Sequence, residues 1–147
     1  MEHIVDKLVE IVDEHQNRNI FLTDEGVFTP ATLQHFRKAH GTTPEVYSRE
    51  QFMSMPDYQK NNIIKAIRLI PFVVRKTSSK CLVGSYGLKH VLEKYFSHSY
   101  MCNGDTILCM LYLGYTMKPD RDGWNARFNC DYAKNDSVQN PPVFLKF

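Results

Sequence analysis

Four cysteines and six histidines are the side chains of this 147-residue chain that best suit nucleophilic catalysis or metal binding. Structural zinc needs four ligands from short, paired spacings. The cysteines are separated by 20, 6 and 20 residues, and no C-x-x-C pair occurs among Cys81, Cys102, Cys109 and Cys130. The spacing therefore predicts reduced thiols, no metal site and no cofactor. A disulfide between two of the cysteines remains an alternative.

The histidines lead to the same prediction. The densest local group is His90, His98 and Cys102, which lacks the spacing of a closed zinc site. The chain has no G-x-S-x-G, Walker A or G-x-G-x-x-G motif. We therefore predict no catalytic residues, and an enzyme that uses a spatial pair such as Cys81 and His90 is the least favoured alternative.

Positive charge is concentrated in the middle of the chain. Residues 58–98 carry eight lysines and arginines against one acidic residue, a net charge of +7, whereas residues 1–57 carry −5 and residues 99–147 are neutral. Cations replace the counterions of nucleic-acid phosphates, and aromatic rings stack on bases. This basic central block predicts a non-enzymatic protein that binds the backbone of DNA or RNA; a merely solvated basic surface is the alternative. The candidate contact residues are Lys65, Arg68, Arg75, Lys76, Lys80, Tyr86, Lys89 and Lys94.

Helices must position most of these residues. Apolar residues recur at helical spacing over residues 2–16, and Thr29-Pro30 with Gly41 marks the start and end of a second helix. Thr43-Pro44 predicts a short third helix, and a fourth runs from Asp57 to a stop at Pro71. Short apolar runs around "TDEG" predict a hairpin, and "NARFNC" (125–130) alternates like an edge strand. The predicted fold class is α+β, a mostly helical single domain with a few short strands.

The stretch "GSYGLKHVLEKYF" (84–96) predicts an amphipathic helix that begins after an N-cap at Ser85. Leu88 and Leu92 belong to its apolar face, and Lys89 and Lys94 to the opposite, outward face. The next helix is apolar nearly all round from Ile107 to Tyr115 and is therefore predicted to be buried. Because that second helix offers no Arg, Lys, Asn or Gln to base edges, the pair fails as a helix-turn-helix reader of sequence.

The chain is predicted to form one domain over 1–147, with a helix-helix-strand module at about 84–130 and a possible N-terminal subdomain at 1–56. The apolar side chains Phe144, Leu145 and Phe147 near the C-terminus suit a partner contact. They support the second hypothesis, a protein–protein interaction module or accessory virion component that binds other virus or host proteins. The sequence does not determine the oligomeric state.

Hydropathy and the charge of the first helix argue against a membrane-spanning protein and against a secreted protein with a signal peptide. No run of 18 apolar residues occurs, and the acidic first helix is unlike the basic start of a signal peptide. These features predict a soluble, intracellular protein that does not insert into membranes.

The segments "SYGLKHVLEKY", "YMCNGDTILCMLYLGY" and "NARFNC" together resemble a pattern in small uncharacterised proteins encoded by viruses and phages. The resemblance covers roughly residues 84–130 and carries no established activity, so no functional residues transfer. It implies a virus-encoded protein in the host cytoplasm or nucleus, or in the virion.

Overall fold

A computed structural model describes residues 2–97 and 99–133. Within these ranges the fold is α+β and mostly helical, as predicted. The helices are α1 (Glu2–Gln16), α2 (Pro30–His40), α3 (Arg49–Ser54), α4 (Asp57–Val73), α5 (Ser85–Tyr95) and α6 (Asn103–Tyr112). The strands are β1 (Phe21–Thr23), β2 (Gly26–Phe28), β3 (Val74–Lys76), β4 (Val83–Gly84), β5 (Met117–Pro119), β6 (Ala126–Phe128) and β7 (Cys130–Tyr132).

Helix α6 lies at the centre of the core. Its residues from Asn103 to Met110 are all buried, because α1, α4, α5 and the β1–β2 hairpin pack around it. The prediction that this helix is buried is confirmed for residues 103–110; the helix begins at Asn103 and ends at Tyr112 rather than at Tyr115. One hydrophobic cluster joins residues from α1 to β7. No helix of the described ranges is both long and apolar enough to cross a membrane.

The strands form three small antiparallel sheets: β1 with β2, β3 with β7, and β4–β6–β5. The predicted hairpin is confirmed, with Phe21 opposite Phe28. The edge-strand prediction for residues 125–130 is wrong, since β6 is the central strand, paired with β4 on one side and β5 on the other. Polar and apolar residues alternate along β6 because one face of its sheet is buried: Ala126 and Phe128 are buried, and Arg127 is exposed.

Two helix boundaries differ from the predictions. Helix α4 continues through Pro71 to Val73, because Ile70 and Val73 are fully buried and hold the last turn against the core. Helix α3 begins after Ser48, whose side chain forms a capping box with Gln51, and not at Thr43-Pro44. A backbone bridge from Val46 to β1 keeps the chain before Ser48 extended.

Helices α1 and α2 follow the predictions closely. Helix α1 spans Glu2–Gln16, and α2 has Thr29 as its N-cap, Pro30 in its first turn and Gly41 as its left-handed C-cap. The N-cap of α5 is Gly84 and not Ser85. The Ser85 hydroxyl instead accepts a hydrogen bond of 3.0 Å from the Ala126 amide, which ties α5 to β6.

Candidate functional site: a basic cleft and an aromatic pocket

The structure distributes the eight predicted nucleic-acid contacts over several elements. Helix α4 carries Lys65 and Arg68, strand β3 carries Arg75 and Lys76, the loop after β3 carries Lys80, and α5 carries the other three. Six of the eight are exposed: Arg68, Arg75, Lys76, Lys80, Tyr86 and Lys94. Lys65 is half-buried, and Lys89 is buried.

Two of the exposed cations lie beside a group that can interact with their charge. Arg75 on β3 lies opposite Asp131 on β7 in the strand register. The Lys76 ammonium lies 5.3 Å from the centre of the Tyr115 ring, a cation–π contact. Fewer cations of the basic central block are therefore available to a ligand than its net charge suggests.

Lys89 corrects the prediction of an outward-facing lysine, since it is only 5 % exposed. Its ammonium donates to the Met101 carbonyl at 3.1 Å and to Glu93 Oε1 at 3.4 Å. It also lies 4.6 Å from the Tyr100 ring centre and 5.5 Å from that of Tyr86. The connector between α5 and α6 folds over this side of the helix, which helical periodicity alone does not reveal.

Glu93, the ion-pair partner of Lys89, also contacts His90 and the backbone between α5 and α6. Glu93 Oε1 also lies 3.0 Å from His90 Nδ1, and Oε2 accepts a hydrogen bond of 3.1 Å from the Met101 amide. The carboxylate thus contacts two side chains and the connector backbone. Cys81 and His90, which were named as a pair only in the least favoured enzyme alternative, have other neighbours: the Cys81 thiol contacts the Ser79 carbonyl at 3.9 Å, and His90 contacts Glu93.

A basic cleft of about 380 Å³ lies beside the β4–β6–β5 sheet. Lys118 on β5 lies directly opposite Arg127 on β6, and on the other side Arg127 faces Gly84, which has no side chain. Arg121 completes the set of cations, and none of these three has an ion-pair partner among the described residues. The remaining lining residues are Ser79, Cys81, Pro119 and Asp120.

Sequence reasoning missed these three cations. They lie in residues 99–147, whose acidic and basic residues cancel, so a net-charge count hides them. The available signal was the alternation in "MKP" and "ARF", which places Lys118 and Arg127 on outward faces of short strands. Only the strand register shows that the two charges face each other.

An aromatic pocket of about 420 Å³ opens between α5, the β1–β2 turn and the loop before β6. The aromatic side chains that line it are Tyr86, Tyr100 and Trp124. The two tyrosines are 54 % and 62 % exposed, whereas Trp124 stacks on the buried Phe28 at 5.6 Å between ring centres. Its polar lining comprises Asp24, Glu25, Lys89, Asn103, Asp122 and Asn125, with Gly123.

Asn103 has the most unusual hydrogen bonding in this pocket. Its Nδ2 donates to the Glu25 carbonyl at 3.0 Å, to Asn125 Oδ1 at 2.9 Å and, more weakly, to the Trp124 carbonyl at 3.4 Å. Three acceptors on this side fix the orientation of the amide. Its Oδ1 is consequently buried without a donor among the described residues, which is an unfavourable state for a carbonyl oxygen.

A buried carboxyl group lies beneath a second, smaller pocket of about 230 Å³, which shares Asp24, Glu25 and Tyr100 with the aromatic pocket. Asp105 accepts from the Tyr47 hydroxyl at 2.6 Å and from Gln59 Nε2 at 2.9 Å. Burial raises the pKa of Asp105, and the two hydrogen bonds oppose that rise.

The cysteines carry free thiols, and burial raises the pKa of three of them. The Cys130 pKa rises to about 12, and those of Cys102 and Cys109 also rise. A raised pKa keeps a thiol protonated at neutral pH and therefore unreactive. Within residues 2–97 and 99–133 no group of three or more His, Cys, Asp or Glu side chains is placed to hold a metal ion.

The burial of Asp105 gives a testable pH dependence. Burial holds the folded-state pKa of Asp105 above its ordinary value of 3.8, so the protonated form stabilises the fold, and this stability is lost as the pH rises from about 4 through the folded-state pKa. In Asp105→Asn that dependence disappears, and the Gln59 amide can rotate to offer its oxygen to the new amide. We expect the free energy of unfolding of the wild type, relative to Asp105→Asn, to fall by up to about 1.4 kcal/mol per pH unit in this window.

Urea denaturation of both proteins between pH 4 and pH 7 measures this difference. A constant difference across the window would show that Asp105 titrates alike in the folded and unfolded chains.

The predicted partner contacts Phe144, Leu145 and Phe147 lie outside the described residues. No protein-family model matches the chain, and no curated protein or solved structure matches it either. The basic cleft and the aromatic pocket are therefore the features of the described residues that bear on function.

Proposed function

We propose that this protein is a small, non-enzymatic nucleic-acid-binding protein whose basic cleft contacts the phosphate backbone. The observation that carries the proposal is the cross-strand pair of Lys118 and Arg127, with Arg121 in the same cleft. All three cations are without ion-pair partners among the described residues, and Asp120 is the one carboxylate in the lining.

The electrostatics of this pair favour an anionic ligand. Like charges directly opposite each other on neighbouring strands destabilise a sheet, and their Cβ atoms are about 5 Å apart. An anion between Lys118 and Arg127 would remove that repulsion. The Ser79 hydroxyl can donate a further hydrogen bond to a phosphate oxygen.

Part of the basic central block extends this surface. Lys80 follows Ser79 in the loop after β3, and the Leu82 amide donates to the Cys130 carbonyl at 3.3 Å, which holds that loop against β7. Of the predicted contacts, Lys80 is therefore the one that the chain places next to the cleft. Lys89 leaves the proposed contact set because it is buried and paired.

The proposed binding does not involve reading base sequence in a major groove. Helix α6 is buried from Asn103 to Met110 and presents no face to a major groove. The structure offers cations for the backbone instead, and backbone contacts give affinity without sequence information. An intracellular, virus-encoded protein is the context implied by the resemblance of residues 84–130, and that part of the proposal rests on the resemblance alone.

Removing the cross-strand pair tests the proposal. We expect Lys118→Ala/Arg127→Ala to weaken binding to labelled oligonucleotides of any sequence, because two phosphate contacts are lost. The slope of log affinity against log salt concentration should become shallower by about 2. Fluorescence anisotropy across a salt series measures both quantities.

The matched control is Arg18→Ala, which removes an exposed cation outside the cleft, in the turn after α1. It should leave the salt slope close to that of the wild type. Equal slopes for the wild type and the cleft variant would contradict the proposal.

A further inference from the structure

We infer that the aromatic pocket holds a single unpaired nucleobase, so that the nucleic acid bound by this protein is single-stranded. The inference rests on the proposed function, since the basic cleft supplies the phosphate contacts. The inference adds a second site, which binds a base rather than a phosphate. Of the residues predicted to contact nucleic acid, Tyr86 is the one that serves this second site as an exposed aromatic ring.

The pocket offers flat apolar surfaces of the kind on which bases stack. Tyr86 and Tyr100 remain more than half exposed at its edge, and Trp124 is held by the buried Phe28 and by an edge contact with Phe36 at 5.2 Å. A fixed indole beside two accessible phenol rings can receive the face of any base. Exposed tyrosines that merely filled a surface would not need to line one pocket.

The polar groups of the pocket match the edge of a base. Asn103 lines the pocket, and its Oδ1 is a buried acceptor without a donor among the described residues, so an exocyclic amino group or ring N–H of a base that reached this oxygen would remove an unfavourable state. Lys89 uses two of its three N–H groups on Glu93 and Met101. The ammonium also lies 4.6 Å from the Tyr100 ring centre and 5.5 Å from that of Tyr86, so it holds in place the two tyrosines that line the pocket.

The charges around the pocket exclude phosphate as its occupant. Asp24, Glu25 and Asp122 line it, while its lysine is neutralised by Glu93. Carboxylates repel a phosphate but accept hydrogen bonds from sugar hydroxyls and amino groups. The neutral base therefore belongs in the aromatic pocket, and its phosphates belong in the basic cleft.

The two sites are continuous along the chain. Trp124 and Asn125 in the pocket lead directly into β6, whose Arg127 lies in the basic cleft. Two residues of extended strand cover about 7 Å. Tyr86 likewise lies two residues after Gly84, the register partner of Arg127. A strand that places a base in the pocket can thus place neighbouring phosphates in the cleft, whereas a duplex keeps its bases stacked inside and out of reach.

Trp124 is the single tryptophan of the chain, so its fluorescence reports on the pocket directly. We expect an intact single-stranded oligonucleotide to quench this fluorescence, and an abasic strand of equal length and an intact duplex to leave it nearly unchanged. Tyr86→Ala/Tyr100→Ala should lower the affinity for the intact strand at least tenfold. The salt slope and the affinity for the abasic strand should stay as in the wild type, because the basic cleft is untouched.

Tyr58→Ala is the matched control, since Tyr58 is 55 % exposed and does not line the aromatic pocket. Equal affinity for the intact and abasic strands, with no quenching by either, would overturn the base pocket while leaving the basic cleft intact. Failure of every strand to bind at low salt would overturn the proposed function and this inference with it. Quenching by aromatic peptides but by no oligonucleotide would assign the pocket to a protein partner and would also overturn the inference.

Discussion

Gly104→Ala is expected to lower the free energy of unfolding by about 3 kcal/mol, the upper end of what overpacking usually costs. A Cβ atom at Gly104 would lie 1.9 Å from the Thr23 carbonyl oxygen, and 2.7 Å from both Asp24 Cα and the Tyr47 hydroxyl. Two of these three contacts are with backbone, which cannot move aside without displacing the β1–β2 hairpin from α6. Urea denaturation monitored by Trp124 fluorescence measures the loss.

Gly87→Ala in α5 is the matched control. Its Cβ would lie 3.6 Å from the Tyr132 hydroxyl, which is an ordinary contact, and the residue is helical and exposed. Alanine favours a helix over glycine, so this variant should gain about 0.5 kcal/mol. A Gly104→Ala variant as stable as Gly87→Ala would show that the hairpin does not press against α6 as described.

The second large effect concerns the buried ion pair of α5. Lys89→Met is expected to cost about 3 kcal/mol of unfolding free energy, because it leaves the Glu93 carboxylate, whose side chain is only 15% exposed, without its ammonium partner. Methionine keeps most of the volume of the lysine stem, so the loss measures the charge and its hydrogen bonds. Chemical denaturation at neutral pH provides the comparison.

A double variant and a control separate this effect from a general weakening of α5. Lys89→Met/Glu93→Gln should cost less than the sum of the two single changes, since the neutral amide still accepts from the Met101 amide and leaves no charge buried. Lys94→Met removes an exposed lysine from the same helix and should change stability by less than about 0.5 kcal/mol. Equal costs for Lys89→Met and Lys94→Met would contradict the burial of the pair.

These two effects bear on how nucleic-acid binding is tested. A charge reversal at Lys89 is expected to destabilise the domain, so a loss of binding in such a variant would not report on phosphate contacts alone. Lys118, Arg127 and the exposed Lys80 can be changed without breaking an ion pair among the described residues. The cleft variants therefore measure the contact itself.

Local signals predicted the parts of the fold that local interactions determine. Glu2–Gln16 shows a repeated apolar face, and Thr29-Pro30 with Gly41 supplies both caps of α2, so each helix was predicted with its boundaries. Two of the boundaries that were wrong lie where a distant contact intervenes. The bridge from β1 to Val46 delays α3, and the packing of Ile70 and Val73 carries α4 past Pro71.

By itself the sequence determined the α+β class, the main helices, the burial of α6 and the excess of positive charge in the middle of the chain. Periodicity and caps act between residues about four positions apart, so they can be read without knowing the fold. Tertiary structure alone decided that Lys118 faces Arg127, that Lys89 is buried, and that Tyr86, Tyr100 and Trp124 line one pocket. Strand pairing and helix packing bring these residues together from distant positions in the sequence. Periodicity and net charge, which are read along the chain, do not show that such residues are close in space.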